Sequence, residues 1–586
     1  MSPRPFKLLL LVAAVSSVIA ESDFEQPDSL GFTKYRPSYH FQPPKNWMND
    51  PCAPMKTPDG RYHLFYQYNP YDAIWGNMTW GHASSSDLLH WKDEENALKP
   101  DQPYDHLGIF SGSGITKGYK GKPTVGYTAV SKLPISWKID YSLESEQQAL
   151  AYTEDNGTSW KKLGVVIKSP PETTRTGFRD PFLFRSSHFD SMLPSNGQEN
   201  IYMSVSGGTN ATTKGGKLWL YKSQDWINWE LFPTPFFQAK GDQPLSKTSE
   251  FTYGHNWEMA NYFVLNESNN TEWHVLVIGV EGKSPYNTIR WPAWVAGHIV
   301  STDKGKGVEF KPMMSGILDN GIDYADNSFF DPTTDQRVIW GWVTEDDADN
   351  EEIRKSQGWA GMLTVPRELF IYEKSGILSS KNLQKYAGSL TITSGKSKLK
   401  TVKTLGVRPI QDLVHLRDKA QVKIQNYKLD RHHVKSNRLT SGKRSYEIST
   451  VFNFAQDQKA QAGITLMRSA DGREETKILY NPVTANLTID RSKSSLNSNY
   501  SNTIQWGEIP LFRTRKGLER LELRVFVDNS IIEVFANDRL ALTTRIYPTL
   551  PDSTEVFLTL AKGKKVTVEE FTLWPITDRA FPERKH

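Results

Sequence analysis

The chain predicts an all-β protein, a β-propeller followed by a C-terminal β-sandwich. Three observations carry this expectation. Short runs rich in aromatic and β-branched residues dominate: RYHLFYQYNP, KLWLYKS, HVLVIGV, RVIWGWV, SYEISTVFNF and LELRVFVDNSIIEVFAND. They are bounded by Gly, Pro, Asn and Asp, as strands are, and no long amphipathic helix interrupts them. A weak repeat runs through the first half, where SSDLLHW ends at Trp91, TEDNGTSW at Trp160 and SQDWINW at Trp229, 69 residues apart each time. The character then changes after about residue 370, and strands resume from Ser445 to Trp574.

Taken in order, residues 1–20 read as a secretory signal. Arg4 and Lys7 precede an apolar run from Leu8 to Ala20, and Val18-Ile19-Ala20 offers small residues for cleavage. The run is too short for a membrane span, and no later stretch is long and apolar enough to cross a bilayer. Residues 21–380 form the expected propeller. In each repeat an Asp (Asp87, Asp155, Asp225) stands four or five residues before the Trp. The Asp is expected to cap a tight turn and the Trp to pack between sheets, not to bind ligand. STDKGKGVEF near Asp303 offers a fourth, degenerate copy. The Lys/Ser/Thr-rich stretch 381–400 reads as a linker, with the hinge between Glu373 and Thr393, and 401–586 as the sandwich.

A chain of 586 residues exceeds one ordinary core. Seventy basic residues are balanced by 66 acidic ones, and no Lys/Arg block suggests nucleic acid as a partner. The 18 Trp leave two readings open, sugar stacking and the filling of large β-structure. Asn77, Asn156, Asn210, Asn266, Asn269, Asn486 and Asn499 each begin an Asn-X-Ser/Thr acceptor, which with the signal points to a secreted glycoprotein, extracellular or wall-associated. The single cysteine, Cys52, excludes an internal disulfide and any multi-cysteine zinc site. There is no HExxH, so metal catalysis is not expected, nor is a cofactor.

Three acidic residues stand in unusual settings: Asp50 in WMNDP, Asp180 in GFRDPF and Glu258 in GHNWEMANYF. Proline biases the preceding residue away from helix, so each Asp carboxylate is expected to project from an extended strand end. Arg179 is expected to keep Asp180 ionised by charge pairing. Trp257 is expected to wall Glu258 and raise its pKa toward that of a working acid. Singly, an Asp-Pro more often marks a plain turn.

Together and in this order, these motifs resemble glycoside hydrolase family 32, the β-fructofuranosidases that include invertase, inulinase, levanase and fructosyltransferases. The likeness extends to FYQYNP, IWGNMTWGHASSSDLLHW, FSGS from Phe110 to Ser113, RVIWGWV, GWAGMLTVPREL and LRVFVDNSIIEVF, spanning most of residues 36–575. The resemblance implies a five-bladed propeller before the sandwich and a retaining mechanism, with two carboxyl groups about 5–5.5 Å apart. It implies Asp50 as nucleophile, Glu258 as acid and base, and Asp180 as a transition-state stabiliser that binds fructose hydroxyls. It places Trp47, Asn49, Gln67, Trp75, Phe110, Ser111 and Arg179 in a fructose pocket; wall packing, loop hydrogen bonding and a structural ion pair are their alternatives. Two departures stand out. The family commonly reads Asn-Asp-Pro-Asn-Gly where this chain has Cys52 and Ala53, and Glu-Cys-Pro where it has Glu258-Met259-Ala260. Glu250 in KTSEFTY is the rival acid.

The implied partner is sucrose or a β-fructan, cleaved at a terminal fructosyl unit. A fructosyltransferase that passes the unit to a second sugar shares every catalytic residue. A non-catalytic, lectin-like propeller would keep the aromatics without needing all three acids. Cys52 has no identifiable base beside it and reads as a small residue shaping the pocket floor. Oligomeric state stays open between a monomer and a homodimer formed through the sandwich.

Overall fold

The computed structural model describes residues 30–584 apart from 172–175, 194–197, 210–214, 268, 283–288, 346–350, 395–398, 431–437 and 441. The signal read in residues 1–20 and the acceptor Asn210 lie outside the described residues. Strands supply almost all regular structure. The longest described helix, Glu351–Gln357, has 7 residues.

The first part builds five successive antiparallel groups of four or more strands, the third and fourth running together in one nine-stranded sheet. Their inner strands are Asn46–Lys56, Gly108–Ile115, Phe178–Phe184, Asn256–Asn266 and Asp323–Asp331. Each inner strand packs against the next, and the fifth against the first, so the groups close a ring like the blades of a propeller. A parallel pairing of Asn46 and Trp47 with Trp359 and Ala360 adds a later segment to the first blade.

The Asp-turn-Trp repeat falls where a propeller needs it, in the hairpin between third and fourth strands. Asp87 Oδ1 accepts from the backbone N–H groups of Leu89 (2.9 Å) and His90 (2.8 Å). Asp225 Oδ1 does the same for Ile227 and Asn228, and Asp155 for Ser159. The Trp residues fill seams between blades: Trp91 meets Trp340 of the fifth blade edge-on, and Trp160 meets Phe65 of the first. Asp303 begins a turn in the equivalent hairpin of the fourth blade, between strands Arg290–Thr302 and Gly307–Ile317. No Trp follows it.

Residues 381–400, expected as a linker, instead carry the helix Lys381–Lys385 and the strand Thr391–Ser394. Glu373 and Thr393, the expected hinge limits, sit in one sheet, because Arg367–Ile377 and Thr391–Ser394 flank Lys400–Pro409. The Lys/Thr-rich composition hides an amphipathic strand whose Val402, Leu405 and Val407 are buried. The sheet of the last blade therefore runs on to Pro409. Beyond it, two six-stranded antiparallel sheets pack face to face over a core that includes Ile448, Ile464, Ile478, Val525 and Phe571.

A buried charge cluster joins the two domains. Arg367 donates to Asp323 (3.1 Å) and to Glu533 of the sandwich (2.6 Å), and pairs with Asp319 at 3.0 Å. His40 lies 3.0 Å from both Asp528 and Glu533, and its imidazole is raised to about 9. Burial opposes that shift and the two carboxylates override it.

Candidate active site

The three acidic residues come from three blades and meet on the axis of the ring. Asp50 lies on the inner strand of the first blade, Asp180 on that of the third and Glu258 on that of the fourth. A β-bulge interrupts every inner strand at this level, shown by register breaks around Asp50, Ser111, Asp180, Met259 and Ala325. Asp180 (φ 63°), Met259 (φ 47°) and Ala325 (φ 55°) are left-handed there. An extra residue bends a strand locally and re-aims its side chains, which is how these strands face carboxyl groups into the axis. This corrects the expectation for the Asp-Pro steps. Asp50 and Asp180 stand inside strands, not at their ends, and Asp180 is left-handed, not extended. Proline disfavours the right-handed helical region before it, and a bulge exploits the alternative.

Asp50 is half-buried. Its Oδ2 accepts from Ser111 Oγ at 2.6 Å and its Oδ1 from Asn49 Nδ2 at 3.0 Å. Its carboxyl is pushed up to about 6, first by burial and then by the charge of Glu258, against these hydrogen bonds. Asp180 is 4 % exposed and accepts from the Met259 N–H at 3.0 Å. Burial and Glu258 raise it well above the carboxylate range. Arg179 lowers Asp180 through its charge without overcoming burial, so the expected pairing does not keep Asp180 low. The guanidinium instead meets Glu146 at 3.1 Å and Glu258 Oε1 at 3.2 Å. Glu258 Oε2 accepts from Tyr324 OH at 2.6 Å. Arg179 and Tyr324 thus fix both oxygens of Glu258.

Trp257 does not wall Glu258. Successive strand residues point to opposite faces. Trp257 is fully buried behind the site, stacked on Phe237 and donating to Tyr253 O at 2.7 Å. Glu250 is exposed and lines a cleft with Trp294, Tyr386, Trp506 and Arg539, among residues of both domains, away from the axis.

The remaining expected residues divide. Ser111 and Asn49 touch Asp50 directly. Trp47 donates its Nε1 to Asn49 Oδ1 at 2.8 Å and so holds that amide. Trp75 is 49 % exposed and meets the half-buried Phe110 edge-on, an open aromatic pair beside Ser111. Gln67 is 2 % exposed and lies behind the site, donating to Ile109 O at 2.9 Å. Cys52 is fully buried among Phe65, Trp80 and Ile109, with its Sγ 3.5 Å from Asp50 O. It therefore packs behind the strand of Asp50 instead of lining the pocket floor, and burial pushes its thiol well above the ordinary value.

Sequence reasoning missed Tyr324, Glu146, Asn261 and Asn327. Asn327 Nδ2 donates to Pro51 O (3.1 Å) and Gly112 O (2.8 Å), lacing the fifth blade to the first two. Asn261 Nδ2 donates to Met259 O and Asp326 O, both at 2.8 Å, lacing the fourth to the fifth. The available signal was an amide inside an otherwise apolar strand, as in EMANYFVL and ADNSFF. Of the acceptor asparagines, Asn77, Asn266, Asn269 and Asn499 are exposed, and Asn156 and Asn486 are half-buried.

An all-β ring with carboxyl groups from separate blades on its axis defines a carboxylate-based hydrolase class. The model of the glycosyl hydrolases family 32 N-terminal domain matches residues 40–382, and that of the family's C-terminal domain matches 412–575. The chain therefore belongs to glycosyl hydrolases family 32, and it is a glycoside hydrolase. It is 28 % identical over 542 residues to an insoluble-isoenzyme β-fructofuranosidase of Arabidopsis thaliana, covering 88 % of this chain and 86 % of that one. It is 26 % identical over 567 residues to a fructan 6-exohydrolase of Beta vulgaris, covering 92 % and 86 %. The solved fructosyltransferase of A. japonicus superposes with a TM-score of 0.84 at 24 % identity, covering 96 % and 99 %, a likeness of fold. The match boundaries leave 383–411 between the two domain models, the stretch that closes the last blade.

Proposed function

We propose that the chain is a secreted, retaining β-fructofuranosidase that removes the terminal fructosyl unit of sucrose or a β-fructan. The observation that carries this reading is the meeting of Asp50, Asp180 and Glu258 on one axis, with Ser111 on Asp50 and Arg179 and Tyr324 on Glu258. Asp50 Oδ attacks the anomeric carbon while the glycosidic C–O bond breaks and Glu258 gives its proton to the leaving oxygen. Water then attacks the same carbon, Glu258 takes a proton from it, and Asp50 leaves. Two inversions return the starting configuration. Asp180 binds fructose hydroxyls and stabilises positive charge in the transition state. Burial and mutual charge raise both Asp50 and Asp180, so the cluster keeps protons at pH values where isolated carboxyls have lost theirs. Such a cluster suits a mechanism that needs one acid and one anion together.

The relatives' names, a β-fructofuranosidase and a fructan exohydrolase, supply the substrate class. The exposed glycan acceptors and the N-terminal apolar run support export. The fructosyl-enzyme also accepts a sugar hydroxyl in place of water, which gives the transferase variant of the same chemistry.

The test is sucrose cleavage by Asp50→Asn and Glu258→Gln. Asp50→Asn is expected to lose about 10³-fold or more in kcat, as nucleophile removals do. Glu258→Gln loses about 10²–10⁴-fold on poor leaving groups and far less on activated ones. Near-original turnover by Asp50→Asn sinks the reading. Free fructose equal to free glucose at high sucrose marks hydrolysis, and a shortfall of fructose marks transfer.

A further inference from the structure

Glu272 and His274 begin the second strand of the fourth blade, Glu272–Glu281. Two residues apart, they share one face of it. That face meets the helix Ser187–Met192, which follows the inner strand of the third blade and carries His188. One donor atom from each of His188, Glu272 and His274 lies within 4.8 Å of the other two. The two imidazole rings have centroids 4.8 Å apart, tilted by 45°.

We infer that His188, Glu272 and His274 form a binding site for a divalent ion of the zinc class, clamping the third blade to the fourth. The donor set is two imidazoles and a carboxylate, which suits Zn²⁺ and its borderline neighbours and not Mg²⁺ or Ca²⁺, whose ligands are oxygen. The surroundings are those of a built site. His274 Nδ1 lies 2.6 Å from Tyr262 OH, and the two rings stack at 11°. Tyr262 therefore occupies one ring nitrogen and leaves Nε2 as the metal donor, the role an outer partner plays at a ligating histidine. Glu272 is exposed and His188 half-buried, which leaves one side of the site open to water. Tetrahedral zinc with bonds of about 2.0–2.1 Å needs donors roughly 3.4 Å apart. The three donors, within 4.8 Å of one another, draw in to that spacing when an ion binds.

The site is remote from the carboxyl groups. Asp180 and Glu258 are the third residues of their inner strands, while His188 and Glu272 lie past the far ends of those same strands. It takes no part in cleavage. No local motif announces it, because 84 residues separate His188 from Glu272.

The experiment titrates Zn²⁺ into the chelator-stripped full chain by calorimetry and follows thermal unfolding. Saturable binding of one ion is expected, with Tm raised by about 2–5 °C. His188→Ala and Glu272→Gln, both at positions open to solvent, are each expected to weaken binding at least tenfold. Both should keep the parent circular dichroism and sucrose cleavage, and Mg²⁺ should give no heat. No saturable heat with Zn²⁺, or unchanged affinity in both variants, overturns the assignment.

Discussion

Ser111→Ala isolates what one hydrogen bond does to Asp50, the proposed nucleophile. Ser111 Oγ donates to Asp50 Oδ2 at 2.6 Å, and the bond favours the ionised carboxylate. A hydrogen bond to a charged group is worth about 1.5–3 kcal/mol. One pKa unit corresponds to about 1.36 kcal/mol, so its loss raises Asp50 by roughly one to two units. The carboxyl starts at about 6. At pH 5 about a tenth of Asp50 is ionised in the parent and about a hundredth or less in the variant, so kcat/KM is expected to fall roughly ten- to hundredfold. Above about pH 9 both are ionised and the gap narrows to a few-fold. The strand itself should hold, because Thr128 Oγ1 still donates to Ser111 O at 3.3 Å. Initial rates of glucose release from sucrose across pH check this, read as the apparent value of the coupled cluster. A loss uniform across pH refutes it, and so does an acid limb that moves to lower pH.

Three further outcomes are expected. Asp326 is 1 % exposed, and its carboxyl is raised to about 7, chiefly by burial. A raised folded value means that the group's contribution to stability is present at low pH and lost as pH rises through about 7, so Asp326→Asn should flatten that decline and gain on the order of 1–2 kcal/mol at pH 8 in denaturant titrations. Arg367→Met strands Asp319 and Asp323 without their cation and leaves Glu533 only His40, and should cost about 3–5 kcal/mol in the same titrations. Cys52 should resist a thiol reagent at pH 8 until the chain unfolds, and Cys52→Ala should keep kcat within a few-fold while losing about 1 kcal/mol. A thiol that reacts in the active, folded enzyme contradicts the burial.

The strands and the Asp-turn-Trp repeat were legible because both are local. An Asp that caps its own hairpin needs no distant partner to declare itself. Asp50, Asp180 and Glu258 were legible through motif order, yet their surroundings were not. Trp257 neighbours Glu258 in the chain and faces away from it, while Tyr324, 66 residues on, donates to it. Contacts across blades depend on bulge and register, which a linear pattern does not carry. The strand Thr391–Ser394 inside the expected linker has the same origin, since only pairing with Lys400–Pro409 makes it a strand.

The ring makes the spacing of the reactive pair a property of its circumference. Asp50 and Glu258, the proposed nucleophile and proton donor, sit on staves far apart in the sequence, held at their distance like boards in a cask by a hoop. Asn261 and Asn327 are rivets in that hoop, and Arg367 fastens the sandwich across its last stave. Loosening any seam, however far from the sugar, changes the gap across which a proton and a fructosyl group must pass. The sandwich is thereby tied into the frame that spaces the proposed pair.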